Sequence, residues 1–384
     1  MIYNSLWLYL ISPWLHRTNR GHNIPLERQT NRRFHPQKEP AFHQQAELLV
    51  CNHLSQYGAW QHDRDNDQNM SHIFFEEMEI PEPDYNLGIQ SLTHGAMTGR
   101  QLEAIEAVLI KEKPEWVLVY GDTNSTLAAA LAAAKLHIPV AHVESGLRSN
   151  DWRMPEEHNR IATDHISELL FAPTNNAKSN LKSEKVHGKI FVTGNTVLDS
   201  IKKYSKISSK KSLLSIDTTD FILLTLHRAE NVDDKKTLST IIKAICTSNK
   251  KIIFPIHPRT YKRLKEFNLL HKLQTSKMIT LLNATGYFEM LELMKKCSFI
   301  ITDSGGIQEE STASQIRKKT FVVRKTTDRP EAVEYGFSDL IGTNYAKIVH
   351  AIKYGDRYRV PKRKSPYGNG YSSKMIISHI RKNI

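Results

Sequence analysis

Residues 299–310, FIITDSGGIQEE, join a short apolar run of strand type to a glycine turn and the start of a helix. Two glycines at such a junction let backbone N–H groups approach a ligand closely, and a helix N-terminus carries roughly +0.5 of a charge. A phosphate or pyrophosphate is the natural guest of Ser304, Gly305 and Gly306. Glu310, one turn into the helix, can accept hydrogen bonds from sugar hydroxyls. The plainer alternative is an ordinary strand–helix turn with Ser304 as N-cap. Proton-transfer candidates lie elsewhere, at or just beyond apolar runs: Asp122, Glu144, Glu156 and His227. Each also has a structural alternative, with Asp122 capping a helix, Glu156 serving as a first-turn acid and His227 bonding a carbonyl.

These residues need elements to hold them, and the chain supplies a repeated alternation. Gly99–Lys113 predicts an amphipathic helix, Trp116–Tyr120 a buried strand, and Leu127–Leu136 an alanine-rich helix. Pro139–Val143 predicts the next strand, 156–167 a helix with Pro155 in its first turn, and Leu169–Ala172 another strand. A helix from Asn175 to Lys182 and a strand from Ile190 follow. The lysine- and serine-rich Lys202–Ser215 reads as a linker. The pattern restarts with strand Phe221–Leu226, helix 235–247, strand Lys251–Ile256, strand 278–282 and helix 286–297, then the glycine turn, strand Thr320–Arg324 and a terminal helix from Tyr371. Alternation of this kind implies parallel strands with crossover helices, whose ligands meet the carboxyl ends of the strands.

The 384 residues exceed one ordinary core, so two domains are expected. The early apolar run Leu6–Leu15 is broken by Pro13, falls short of the roughly 20 residues a membrane span needs, and lacks a basic start. The cytoplasm is the expected compartment. Cys51, Cys246 and Cys297 share no ligand spacing, which points to buried free thiols rather than zinc or disulfides. The net charge of +13 would suit nucleic acid, but the excess cations in 178–211 and 357–382 lack interleaved aromatic platforms and read as solvated surface. Neither nucleic acid nor a membrane is expected as a partner.

Longer strings narrow the reading. YGDTNSTLAAALAAAKLHIPVAHVESGLRS, MPEEHNRIATDHIS, FVTGNTVLDS, LTLHRAEN, ITDSGGIQEE and KTTDRPEAVEYG closely resemble the non-hydrolysing UDP-N-acetylglucosamine 2-epimerase family, over about residues 67–384. The resemblance implies an α/β, GT-B-like fold: two Rossmann-type doubly wound domains with a cleft between them and a terminal helix crossing back to the first. It also implies elimination of UDP across C1–C2 of the sugar and re-addition to a 2-acetamidoglucal with C2 inverted, with no metal or cofactor and, as assembly, a homodimer. Carried over by motif, Asp122, Glu144 and Glu156 are the acid/base carboxylates, and His227 stabilises the departing diphosphate or assists proton transfer. Ser304, Gly305 and Gly306 hold the phosphates, Glu310 the ribose hydroxyls, and His257 and Arg329 add contacts to UDP.

The chain departs from the family pattern before residue 67. Residues 1–66 contain no Gly-Thr-Arg-Pro loop, and of the segment that should follow it only Gln61-His62-Asp63 and Asn69-Met70-Ser71 remain. The abrupt change near Asp67 suggests an N-terminal segment that has been replaced or is read from an altered frame. Ser311–Thr320 is about two residues longer than the corresponding family turn. The expected divisions are an atypical 1–66, a first domain over 67–200, a UDP-binding domain over 201–366, and the returning helix 367–384. Two other readings stay open: a catalytically impaired UDP-sugar-binding remnant, and a GT-B glycosyltransferase, which would need no acceptor for a C2 proton.

Overall fold

The computed structural model describes residues 9–11, 78, 84–85, 87–89, 92–212, 220–283 and 285–383. Apart from a three-residue strand, the atypical 1–66 segment, Cys51 included, lies outside these.

The first lobe is a five-stranded sheet in the order β1-β2-β3-β4-β5, comprising Tyr9–Ile11, Trp116–Tyr120, Val140–Val143, Leu169–Ala172 and Lys189–Val192. Strands β2 to β5 run parallel, and β1 pairs antiparallel with β2. Side chains of β2 alternate between its faces, which explains its unbroken apolar run. Val117 and Val119 pack against α1 (His94–Glu112) and the alanine face of α2 (Asn124–Lys135), while Leu118 and Tyr120 pack against Ile376 and Ile380 of α14 (Ser372–Asn383). The last helix therefore returns to the first sheet. Its N-terminus is held by Asp199, which accepts from the Ser372 and Ser373 N–H groups at 3.0 Å each and from the Ser373 hydroxyl at 2.6 Å. Helix α1 begins at His94 rather than Gly99, because Met97, Gln101, Ile105 and Leu109 form one buried stripe at four-residue spacing. It ends where Lys113 turns left-handed ahead of Pro114. Helices α3 (Pro155–Ile166) and α4 (Asn175–Ser183) complete the crossovers.

The second lobe has six parallel strands ordered β11-β10-β9-β6-β7-β8: Ser338–Leu340, Thr320–Val322, Phe299–Thr302, Phe221–Thr225, Lys251–Pro255 and Ile279–Leu282. Renumbered from its first strand, this is the 6-5-4-1-2-3 order of a doubly wound nucleotide-binding sheet, which reverses between β6 and β9. Its connections include α6 (Ala229–Val232), α7 (Lys235–Ile245), α8 (Pro258–Glu266), α9 (Leu270–Gln274), α10 (Tyr287–Lys296), α11 (Gly305–Glu310), α12 (Pro330–Glu334) and α13 (Tyr345–Tyr354).

Residues 202–211 of the expected linker are instead part of a helix, α5 (Val197–Lys211), which also spans the 200/201 boundary, and 213–215 lie outside the described residues. Leu198, Ile201, Tyr204 and Ser208 form a buried stripe along it. Tyr204 meets Tyr287 and Phe288 of α10 with ring centroids 6.2 and 5.7 Å apart, and Glu292 accepts from the Ser208 hydroxyl at 2.6 Å. Lys203 and Lys206, two of the lysines that suggested a solvated tether, are exposed outside that stripe. The chain crosses between lobes at Gly194–Asn195, where the Asn195 N–H donates to Tyr367 O at 2.8 Å. Gly194 has φ 82°, and a Cβ there would fall 2.8 Å from the Tyr367 carbonyl oxygen, so this crossing requires glycine.

Candidate active site

The reversal between β6 and β9 is built around one buried carboxylate. Asp303, just after β9, accepts from the His227 N–H at 3.0 Å, the Arg228 N–H at 3.0 Å and Asn231 Nδ2 at 3.0 Å. Asn231 also donates to Val323 O at 2.8 Å, so the ends of β6, β9 and β10 are tied together. Burial pushes the Asp303 carboxyl upward, against those hydrogen bonds. Ser304 caps α11, its hydroxyl accepting from the Ile307 N–H. A Cβ on Gly305 would sit 3.3 Å from Asp328 Oδ1 and 3.6 Å from Arg228 Nη2, so glycine here lets backbone and charged side chains share a narrow floor. Gly305 and Gly306 both line the cleft.

The facing wall comes from the first lobe. Asp122 follows β2 and Glu144 follows β3, and a buried pair binds their strand ends together. His142 Nε2 donates to Gly121 O at 2.8 Å, and its Nδ1 lies 2.8 Å from Asp164 Oδ1. The second oxygen of Asp164 accepts from the Gly146 N–H at 3.0 Å and pairs with Arg148 at 2.8 Å. Glu144 itself has φ 71°, a left-handed conformation that costs a non-glycine residue about 1–3 kcal/mol and is retained only where its surroundings enforce it. Helix α3 adds two adjacent acids with different tasks. Glu157 is buried and holds the 149–150 loop, accepting from the Ser149 and Asn150 N–H groups and from Arg160 at 2.7 Å. Glu156 faces the cleft. Arg160, one turn on, donates to Asp122 Oδ2 at 2.5 Å.

The walls meet through Arg329, the residue before α12. Its Nη2 donates to Glu144 at 2.8 Å, its Nε pairs with Glu309, and its Nη1 lies 3.3 Å from Asp328 Oδ2. Burial pushes the Glu144 carboxyl up to about 8, with Glu309 and Asp122 adding to the rise and Arg329 and Arg160 opposing it. Glu309 is pushed up to about 7, again first by burial. Asp328 goes the other way: against its burial, Arg329, Arg228, Arg324 and Arg160 hold it well below the usual carboxylate range. One cleft therefore contains an acid that stays charged and acids that trade protons near neutrality.

Asp122, Glu144, Glu156, His227, Ser304, Gly305, Gly306 and Arg329 all line this cleft. His257 and Glu310 are not among its lining residues. His257 caps α8, its Nδ1 accepting from the Arg259 N–H at 3.1 Å, and its ring lies 5.7 Å from that of His227. Glu310 is buried, with neither carboxyl oxygen hydrogen-bonded among the described residues, and burial followed by Glu309 pushes it up to about 8. Seven lining residues were not singled out from sequence: Met154, Arg160, Asn195, Val197, Arg228, Glu309 and Asp328. The available signal was adjacency, since Arg228 follows His227, Asp328 precedes Arg329, and Arg160 lies one helical turn beyond Glu156. Among the described residues no group of three or more His, Cys, Asp and Glu side chains is disposed to hold a metal ion, and no helix is long and apolar enough to cross a membrane.

Comparison with known proteins gives a consistent set of relatives. The sequence profile described as UDP-N-acetylglucosamine 2-epimerase matches residues 61–381. The UDP-N-acetylglucosamine 2-epimerase of Methanocaldococcus jannaschii is 49% identical over 323 residues, 81% of this chain and 87% of that protein. The UDP-2,3-diacetamido-2,3-dideoxy-D-glucuronate 2-epimerase of Pseudomonas aeruginosa is 43% identical over 323 residues, 82% of this chain and 88% of that one. A crystal structure of the M. jannaschii enzyme in complex with UDP-GlcNAc and UDP superposes with a TM-score of 0.77 at 44% identity, covering 90% of this chain and 97% of that one. The Neisseria meningitidis UDP-GlcNAc 2-epimerase bound to UDP-GlcNAc gives a TM-score of 0.74 at 30% identity, covering 90% and 98%.

Proposed function

The chain belongs to the UDP-N-acetylglucosamine 2-epimerase family, and from that premise we propose that it inverts C2 of UDP-N-acetylglucosamine, or of a related UDP-acetamido sugar. The C2–H bond of such a sugar has no adjacent carbonyl and is poorly acidic, so the leaving group must be stabilised as the proton is taken. In the elimination a carboxylate removes the C2 proton, the C–H electron pair becomes the C1=C2 bond, and the C1–O bond breaks to release UDP. The resulting 2-acetamidoglucal is protonated on the opposite face of C2 while a UDP oxygen re-forms the bond at C1.

Inversion needs proton carriers on both faces of one carbon, and Asp122, Glu144 and Glu156 supply carboxyls from separate elements of one wall. Glu144 suits the demanding step, because a carboxyl raised to about 8 is a strong base that still ionises near neutral pH. On the other wall Ser304, Gly305 and Gly306 receive the diphosphate, with Arg228, Arg329 and His227 supplying charge and hydrogen bonds. One such donor aimed at developing charge is worth about 2.7–4 kcal/mol of barrier. Buried Glu310 takes the ribose hydroxyls, and His257 acts through its contact with the His227 ring.

The observation that carries this reading is the 2.8 Å contact of Glu144 with Arg329, which brings the acid wall and the glycine-turn wall to one point. We place the reaction in the supply of surface-polysaccharide precursors, carried out in the cytoplasm by a homodimer. Family resemblance supports that placement, and light scattering on the purified chain tests the dimer. The activity is tested by following the anomeric proton signals of UDP-N-acetylglucosamine during incubation with the protein. Growth of the manno signal, with traces of free UDP and glucal, is expected. Unchanged spectra in both reaction directions would rule the activity out.

A further inference from the structure

Glu309 lines the cleft and has a part in none of the steps above. Its position is fixed from two sides. Asn195, at the crossing between lobes, donates to its Oε2 at 3.0 Å, while Asn195 Oδ1 accepts from the Val197 N–H at 3.0 Å. The other oxygen pairs with Arg329 Nε. Arg329 is thereby committed along each of its edges: Nε to Glu309, Nη2 to Glu144 and Nη1 to Asp328. A single buried guanidinium serves three carboxyls, two from its own lobe and one, partly buried, from across the cleft.

We propose that Glu309 is a positioning residue for Glu144: by holding one edge of Arg329 it aims the guanidinium across the cleft, prevents it from neutralising Glu144 in full, and so sets how readily Glu144 takes a proton. This rests on the proton-transfer part given to Glu144 above. The charged groups acting on Glu144 are Arg329, Glu309, Asp122 and Arg160, and those acting on Glu309 include Arg329, Asp328 and Glu331. Without Glu309, Arg329 faces Asp328 and Glu144, while Arg160 stays paired with Asp122 and Glu157. More of the positive charge then falls on Glu144, whose ionised form is favoured. Neutral glutamine at 309 can still accept a hydrogen bond from Arg329, whereas aspartate restores the charge on a shorter arm.

The test uses the full chain labelled with δ-13C glutamate and titrated between pH 5 and 9, with the Glu144 resonance identified by its loss in E144Q. In E309Q the Glu144 midpoint is expected to fall by about one pH unit, and in E309D to return toward the parent value. The pH limb of C2 hydrogen exchange should move with it, while KM for UDP-N-acetylglucosamine changes less than about threefold. An unmoved midpoint in E309Q, or E309D behaving like E309Q, would overturn the proposal. Should E309Q fail to fold, the parent titration decides: Glu144 must show a second inflection where Glu309 titrates, and a single step refutes the coupling. A parent that exchanges no C2 hydrogen at any pH would instead remove the epimerase reading, with the carboxyl titration still deciding the role of Glu309.

Discussion

Replacing Glu310 by glutamine should stabilise the protein while impairing its grip on UDP. The Glu310 carboxyl is 1% exposed, has no hydrogen-bond partner among the described residues, and is raised from 4.5 to about 8. Because its folded-state pKa lies above the unfolded value, the native protein retains a proton that the unfolded chain releases between these limits. Stability is therefore lost as pH rises through the window from 4.5 to 8. At pH 7 the interval is about 2.5 units, which at roughly 1.4 kcal/mol per unit is a penalty of about 3–4 kcal/mol. Glutamine has nearly the same size and polarity but nothing to ionise, so E310Q should recover most of that amount at pH 7 and almost none at pH 4.5. Urea denaturation at pH 4.5, 6, 7 and 8 measures the gain, and calorimetric titration with UDP measures the loss of affinity, expected at about tenfold for one hydrogen-bonding partner. A gain independent of pH, or a less stable E310Q at pH 8, would refute the reasoning.

Glu144→Gln should slow C2 hydrogen exchange by about 10²–10⁴ with UDP affinity changed less than threefold, and exchange within tenfold of the parent would remove Glu144 from the proton-transfer step. Asp303→Ala leaves the His227 N–H, the Arg228 N–H and Asn231 without their acceptor. Urea denaturation should find the variant about 3–5 kcal/mol less stable, and a loss under 1 kcal/mol would show that Asp303 does not tie these strand ends together.

The strands that end at the site were legible because parallel sheets buried on both faces leave unbroken apolar runs. Trp116–Tyr120 and Val140–Val143 could be read directly, and the acids that follow them, Asp122 and Glu144, marked the cleft. Helix α5 was not legible from composition, since Lys203 and Lys206 lie on its solvent side and its buried stripe is partly tyrosine and serine. Glu309 and Glu310 are neighbours in sequence but about 100° apart around a helix, so one lines the cleft and the other is buried behind the lining. Arg329 could be named from its motif, but its 2.8 Å bond to Glu144 joins residues 185 positions apart, which local pattern cannot show. For His257 the strand-end position was correct, and the cap on α8 explains why the ring is held beside His227 rather than in the cleft lining.

Inversion at C2 requires that the carbon exchange its hydrogen with carboxyls in contact with water. UDP-N-acetylglucosamine incubated with the protein in D2O should therefore gain deuterium at C2, and at no other carbon, in both the gluco and manno forms recovered. Substrate recovered with its C2 hydrogen intact, or conversion between the two forms without deuterium uptake, would contradict a mechanism in which Asp122, Glu144 and Glu156 carry the proton.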